Sequence, residues 1–278
     1  MNFLNLFELE EEIVVMDIGA SAINEDPIYK SLLNDNFAQL IAFEGDLDQI
    51  QKMHEAFGKN NVIFFNHFLF DGGKHDVYFC APESGMTSLY KPKKSALKFF
   101  NGFSVFGDVK HKEKVQTTRL DDIQEINRID FAKMDVQGAE LEVIKNGSQK
   151  LKNCLAFQLE VSYFPLYEGQ PTFGQIDIYL RKLGYVPHMF LEVKRWSISP
   201  TIFQNNFRVP GNQLLESDVV YVKDPLQLEN LSDLDLKKLI LLSHFCFKSF
   251  DYSVYLLIEL EKRNAIAAGS HKTYLGKL

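Results

Sequence analysis

The sequence predicts an α/β fold, an open and mostly parallel sheet with a helical appendage at its C-terminal end. Three observations carry this reading. Ile13-Val14-Val15-Met16 and Leu40-Ile41-Ala42-Phe43 are short apolar runs without helical spacing, as expected of strands buried on both faces. Each run empties into a carboxylate and a glycine: Asp17-Ile18-Gly19-Ala20 after the first, Glu44-Gly45-Asp46 after the second, with a helical stretch between. Beyond Pro225 the apolar residues take helical spacing instead. The first two features make a βαβ unit, and in open α/β sheets ligands bind outside the carboxyl ends of the strands.

The 278 residues give room for one large α/β domain, expected over 1–225, and a C-terminal helical hairpin and tail over 226–278. A net charge of -7 and 46% hydrophobic content indicate a soluble protein and disfavour nucleic acid or an anionic membrane as general partners. Cys80, Cys154 and Cys246 are scattered and odd in number, so neither a disulfide framework nor a zinc site is expected, and a reducing cytoplasm suits the chain. Residues 1–12 lack basic residues and a continuous apolar run, so neither a signal peptide nor a membrane span is expected.

In chain order, Gly19 marks a turn where the backbone passes close to a ligand or takes a positive φ, and Asp17 can accept hydrogen bonds there. An ordinary strand-to-helix turn is the alternative. The stretch Ser21 to Asp26 lacks the G-x-G-x-x-G pattern and carries an acidic pair, which argues against a dinucleotide and for a ligand without phosphates. Asp26-Pro27 reads as an N-cap followed by proline at the first helical position, opening a helix through about Leu33. Glu44, at a strand end, has the chemistry to grip both hydroxyls of a ribose. A helix is expected over Leu47 to Phe57 and a third strand over Val62 to Phe65, with Asn66 and His67 just past it. Asp71-Gly72-Gly73 predicts a hairpin of Phe68–Phe70 with Val77–Cys80. From Ala81 to Lys114, proline and glycine punctuation and four lysines between Lys91 and Lys98 indicate an irregular insertion, either a lid or a surface loop.

The most specific stretch is Ile129 to Leu151. A strand over Ile129–Met134 ends in Asp135-Val136-Gln137-Gly138-Ala139-Glu140, and a helix follows from Leu141, with Gly147 as an early stop. Asp135, Gln137 and Glu140 converge there on one cleft edge, suited to orienting a substrate hydroxyl or a cofactor amine; a helix cap is the alternative for Asp135. Leu155 to Val161 is a strand near whose end Glu160 either accepts from a substrate or forms a structural pair. Phe173–Leu183 is helical, and Tyr185–Lys194 and Asp218–Val222 read as strands with an aromatic loop, Arg195 to Leu215, between them. Ser232 and Asp251 open two helices, the second running through Ala268, expected to pack on the domain or on a second subunit as a homo-oligomer.

D-I-G-A, F-E-G-D, T-x-x-L-D-D (Thr117 to Asp122) and K-x-D-V-Q-G-A-E-L-E-V-I-K-N-G (Lys133 to Gly147) together resemble the FkbM-type methyltransferases, over roughly Ile13 to Val193. The resemblance implies a Rossmann-like class I sheet and S-adenosyl-L-methionine as cofactor. It implies Asp17 and Gly19 near the methionine moiety, Glu44 on the ribose, Asn66 near the adenine, and Asp135, Gly138 and Glu140 at the centre where methyl donor and acceptor meet; Ala20 and Gly45 join them as cofactor-binding candidates. Ser88, in a Ser-rich loop before Leu89, joins Gln137, Glu140 and Glu160 as substrate-binding candidates. Asp135 is the expected general base and His67 the second candidate. Family members commonly carry a second glycine in the first loop and a glutamate where this chain has Gln137. The expected reaction is O-methylation of a sugar or glycan hydroxyl; the alternative is an inactive nucleotide- or glycan-binding module on the same fold.

Overall fold

The apolar runs become strands because a parallel sheet buries both of their faces. The computed structural model describes residues 6–19, 26–44, 51, 55, 61–81 and 84–278. Ala20, Gly45 and the helix expected over Leu47–Phe57, apart from Gln51 and Glu55, lie outside the described residues. Strand β1 (Ile13–Ile18) leads through helix α1 (Lys30–Asn34) to β2 (Ala38–Phe43) and on to β3 (Val62–Phe65), all parallel. Then β4 (Phe68–Leu69), β5 (Lys74–Phe79), α2 (Lys94–Phe99), α3 (Phe103–Phe106) and β6 (His111–Thr118) build a separate small layer. The main sheet resumes with β7 (Phe131–Met134), α4 (Glu140–Lys145), β8 (Ala156–Ser162), α5 (Phe173–Lys182), β9 (Tyr185–Trp196) and β10 (Gln213–Lys223). Helices α6 (Asp233–Leu241), α7 (Phe250–Lys262) and α8 (Ser270–Leu275) close the chain.

The seven-stranded sheet has the order β3-β2-β1-β7-β8-β10-β9, in which β10 alone runs antiparallel to its neighbours. This is the Rossmann-like class I sheet that the resemblance implied. Alternate residues divide its faces. Ile13, Val15, Phe131 and Val220 face a cluster with α1 and the C-terminal helices, while Met16, Ile18, Met134 and Leu159 face one with α4 and α5. No described helix is long and apolar enough to cross a membrane.

The helices beyond Pro225 form one whole layer of this core. Leu236, Leu239, Ile240, Leu256 and Leu257 are fully buried in the same cluster as Val15 and Leu40. Ser232 caps α6 as expected, accepting the Asp235 N–H at 3.1 Å. A buried charge network ties this layer to the sheet: Asp130 accepts from the Val14 N–H at 2.9 Å, the Lys238 ammonium at 2.9 Å and the Arg128 guanidinium at 2.5 Å. The second helix stops at Lys262 rather than Ala268. A third, α8, folds back with its His271 N–H donating to Glu261 at 2.7 Å.

Three local expectations are corrected. Asp26 does not cap α1; it pairs with Lys30 at 2.6 Å, and the helix begins one turn later behind Tyr29. The β4–β5 hairpin does not form, because β6 lies between the two strands, parallel to β4 and antiparallel to β5. Buried Thr117 drives that insertion, its hydroxyl accepting from the Gly72 N–H at 3.2 Å and donating to the Gly73 carbonyl at 2.8 Å. The 81–114 insertion is not irregular throughout: Cys80, Met86, Leu97, Phe100 and Phe103 pack with Leu166, Tyr167 and Leu215 in a third core. The aromatic loop between β9 and β10 covers that core, with the Trp196 Nε1–H donating to Asn101 at 2.8 Å and the Arg208 guanidinium 5.5 Å from the Phe207 ring.

Lys238 and Arg128 together balance the buried Asp130 carboxylate, and removing one leaves one oxygen of it short of a charged donor. Lys238→Met is therefore expected to destabilise the protein by about 1 to 3 kcal/mol, read as a lower denaturant midpoint in equilibrium unfolding.

Candidate active site

From β1 the chain winds one way through β2 and β3; from β7 it winds the other way through β8 and β10. The crevice where the order reverses lies between the carboxyl ends of β1 and β7, and open α/β sheets bind ligands there. Two backbone bonds tie this rim together. The Gly19 N–H donates to the Phe43 carbonyl at 3.4 Å, and the Asp135 N–H donates to the Ile18 carbonyl at 3.1 Å. Gly19 has φ +79°, and a Cβ there would stand 2.3 Å from the Asp135 carbonyl oxygen. Only glycine lets the first loop lie on the turn that follows β7.

That turn is stapled from beneath. The Glu140 carboxylate accepts the N–H groups of Val136 at 3.0 Å and Gly138 at 3.2 Å and is 2% exposed. Burial, with the Asp135 charge adding to it, pushes the Glu140 carboxyl up to about 7 against these two hydrogen bonds. Gln137 sits at φ +53° above it and is the hub of the polar contacts. Its side-chain amide donates to Asp135 and to Glu160, each at 3.0 Å, and accepts the Tyr167 hydroxyl at 2.8 Å. Its backbone carbonyl accepts the Ser88 hydroxyl at 2.7 Å, which anchors the Ser-rich loop to the turn. Gly138, φ +105°, leaves room for Gln170, whose Cγ would be 3.0 Å from an added Cβ.

A cavity of about 330 Å³ opens over this rim. Its wall brings together Gly19, Glu44, Asn66, His67, Ser88 and Asp135, with apolar surface from Phe43, Leu69, Val77 and Leu89. Elements far apart in sequence position these groups. Glu44 follows β2, its N–H donating to Phe65 at 3.2 Å; Asn66 and His67 follow β3; Ser88 is held by backbone bonds to Tyr78 on β5. The His67 Nδ1 and the Thr118 hydroxyl at the end of β6 are 3.2 Å apart.

The remaining candidates stand behind the wall. Asp17, expected to meet the cofactor, turns inward at 2% exposure and accepts the Tyr29 hydroxyl at 2.5 Å and the Lys133 ammonium at 3.1 Å. Burial opposes the Lys133 charge, yet Asp17, Asp135 and Asp218 around it raise its pKa, so it stays an ammonium. Glu140, expected to touch substrate, is consumed by the turn's own amides. Glu160 has a side chain 10% exposed and reaches the cavity only through Gln137; Lys194 approaches it at 3.5 Å, and burial with the neighbouring Glu216 holds its carboxyl well above the usual range. Tyr29, Tyr167, Thr118 and Lys194 also shape the site, and no local sequence pattern marks them. Lys133 carries a signal, since it opens the motif that ends in Gly147.

The folded chain keeps a proton on Glu140 that the unfolded chain releases, so its contribution to stability is complete below about pH 4.5 and is lost as pH rises to about 7. Urea unfolding is expected to show wild type losing about 3 kcal/mol relative to Glu140→Gln across that window. Gly19→Ala should destabilise by about 1 to 3 kcal/mol, because both the conformation and the Asp135 approach resist a Cβ.

Residues 17–187 match the methyltransferase FkbM domain. No curated protein matches the chain. Among solved structures, the magnesium protoporphyrin IX methyltransferase of Synechocystis PCC 6803, determined with bound S-adenosylmethionine, is similar at 11% identity and TM-score 0.37, over 77% of this chain and 71% of that one. An S-adenosylmethionine-dependent methyltransferase from Anabaena variabilis is similar at 11% identity and TM-score 0.34, over 80% of each chain. With more than half of its length matched and the sheet order described above, the chain belongs to the FkbM methyltransferase domain family.

Proposed function

We propose that the cavity binds S-adenosyl-L-methionine and that the protein transfers its methyl group to a hydroxyl of a sugar or glycan. The observation that carries this is the gathering of Gly19, Glu44, Asn66, His67, Ser88 and Asp135 on one wall at the topological switch. The volume is within the range of small-molecule sites, about 300 to 1,000 Å³. The donor set fits the cofactor: a carboxylate for two ribose hydroxyls at Glu44, an amide for a base edge at Asn66, and apolar surface at Phe43 and Leu69 for a purine. Gly19 contributes backbone without a side chain, which leaves space for the methionine part.

When bound, the cofactor supplies a methyl group already activated by its sulfonium. What this chain's residues must do is hold an acceptor oxygen in line and take its proton. Positioning supplies about 7 to 11 kcal/mol of such a barrier. Asp135 is the proton acceptor in this reading, its carboxylate at the cavity wall and tethered on one oxygen by Gln137 at 3.0 Å. His67 is the second candidate, its Nδ1 3.2 Å from the Thr118 hydroxyl. Ser88 and Gln137 hold the acceptor side of the cavity in shape through their mutual bond, and Glu160 and Tyr167 hold Gln137. The amide at position 137 matters here: it donates to Asp135 and Glu160 together, which an ionised carboxylate has no proton to do.

Calorimetry is expected to show saturable binding of S-adenosylmethionine, weakened about tenfold or more by Glu44→Ala. Transfer of labelled methyl groups to sugar acceptors is expected to fall about 100- to 10,000-fold in Asp135→Asn while cofactor binding is kept. Absence of cofactor binding by the unaltered protein would contradict the proposal.

A further inference from the structure

The insertion between β5 and β7 carries a charge that the reaction above does not use. Residues 91–114 hold seven lysines against two acids, Asp108 and Glu113, in a chain whose net charge is -7. The fold gathers several of these lysines around a groove of about 490 Å³, larger than the 330 Å³ cavity. Its apolar floor is made by Tyr78, Leu97 and Val109, and Lys94, Lys98 and Lys112 stand on its rim. Gly107 lets the turn after α3 close onto that floor: a Cβ there would be 2.6 Å from Leu97.

The partners of these lysines leave a surplus of positive charge. Lys91 pairs with Glu168 at 3.0 Å, and Lys110 with Asp108, the one acid lining the groove among the described residues, at 2.8 Å. Lys112 and Lys114 share the single carboxylate of Asp76, at 3.0 and 3.5 Å. Lys94 and Lys98 have no acidic partner among the described residues. They stand one turn apart on the same side of α2, where like charges repel each other. A rim of mutually repelling ammonium groups over an apolar floor is a poor solvated surface and a good cradle for an anion carried on a less polar body.

Groove and cavity lie back to back. Val77 and Tyr78 are successive residues of β5 and point to opposite sides, Val77 into the cavity and Tyr78 into the groove. Tyr78 is also joined by two backbone hydrogen bonds, 2.8 and 3.2 Å, to Ser88 on the cavity wall. A ligand that occupies both must pass around one strand, which a chain of linked units can do and a single ring cannot.

We propose that the groove holds the phosphate groups of a phosphate-bearing sugar or polyol chain, another unit of which presents its hydroxyl in the cavity. This rests on the methyl-transfer reading above and adds the acceptor's class to it. Lysine ammonium groups bind phosphate as point charges, and among the described residues the groove is lined by one aromatic ring, Tyr78, whereas single-stranded nucleic acid is held on successive aromatic platforms.

The test is calorimetry at low ionic strength with a short poly(glycerol phosphate) oligomer, with tripolyphosphate, and with a neutral dextran oligomer, on wild type and on the Lys94→Gln/Lys98→Gln double variant. The expected result is binding of both phosphate probes by wild type, at least about tenfold weaker in the variant, with dextran not bound. Phosphate-probe affinity that is unchanged in the variant, or absent in wild type, would overturn the proposal. So would lysine-dependent binding of a single-stranded oligonucleotide or of phosphatidylglycerol vesicles that is tighter than that of the glycerol phosphate chain. S-adenosylmethionine binding, measured on the same samples, separates the two readings: the variant should keep it, and its absence from wild type alongside lysine-dependent phosphate binding would remove the methyl-transfer reading alone.

Discussion

Everything at the upper rim depends on one close approach, the backbone of Gly19 lying against the carbonyl of Asp135. It occurs where the strand order reverses, so the loops after β1 and β7 would otherwise diverge and leave an open trough. Drawn together, they bring Asp135 to the same wall as Glu44, two strands away. The approach requires a positive φ at position 19 and no side chain, two conditions that glycine alone meets at little cost. The β7 turn is held from the other side by Glu140, whose carboxylate gathers the amides of Val136 and Gly138 at the expense of its own desolvation.

The acidic groups of the rim thus fall into two populations. Asp17 and Glu140 are turned into the protein, satisfied by Tyr29 and Lys133 and by turn amides. Glu44 and Asp135 face the cavity. A buried carboxylate survives only when its hydrogen bonds are filled from within, and such a group is unavailable to a ligand. The same rule makes Gln137 central: with its amide nitrogen given to Asp135 and Glu160 and its oxygen to Tyr167, it transmits the position of β8 and of the Tyr167 loop to the cavity wall.

How much of this the sequence discloses follows from the range of each interaction. Strands such as Ile13–Ile18 and Ala38–Phe43 are legible because burial on both faces writes a mostly apolar run into the residues themselves. Glu44, Asn66 and Asp135 are legible as rim groups because each directly follows such a run. Asp17 follows one too, but its inward turn depends on Tyr29, reaching back 12 residues, and on Lys133, 116 residues away. The β4–β5 hairpin fails for the same reason, since Asp71-Gly72-Gly73 does form a tight turn while Thr117, 45 residues beyond Gly72, takes the place between the arms. In the C-terminal region, helical periodicity is visible but the surface it covers is not, because the apolar faces of α6 and α7 match any apolar partner and only the fold supplies Val15 and Leu40.

The most direct measurement of the central claim is a crystal structure grown with S-adenosylhomocysteine. Density for the nucleoside is expected in the cavity between the first loop and the β7 turn, with the ribose hydroxyls within hydrogen-bonding distance of Glu44 and the sulfur on the Asp135 side. A product molecule bound elsewhere, with Glu44 and Asp135 both remote from it, would contradict it.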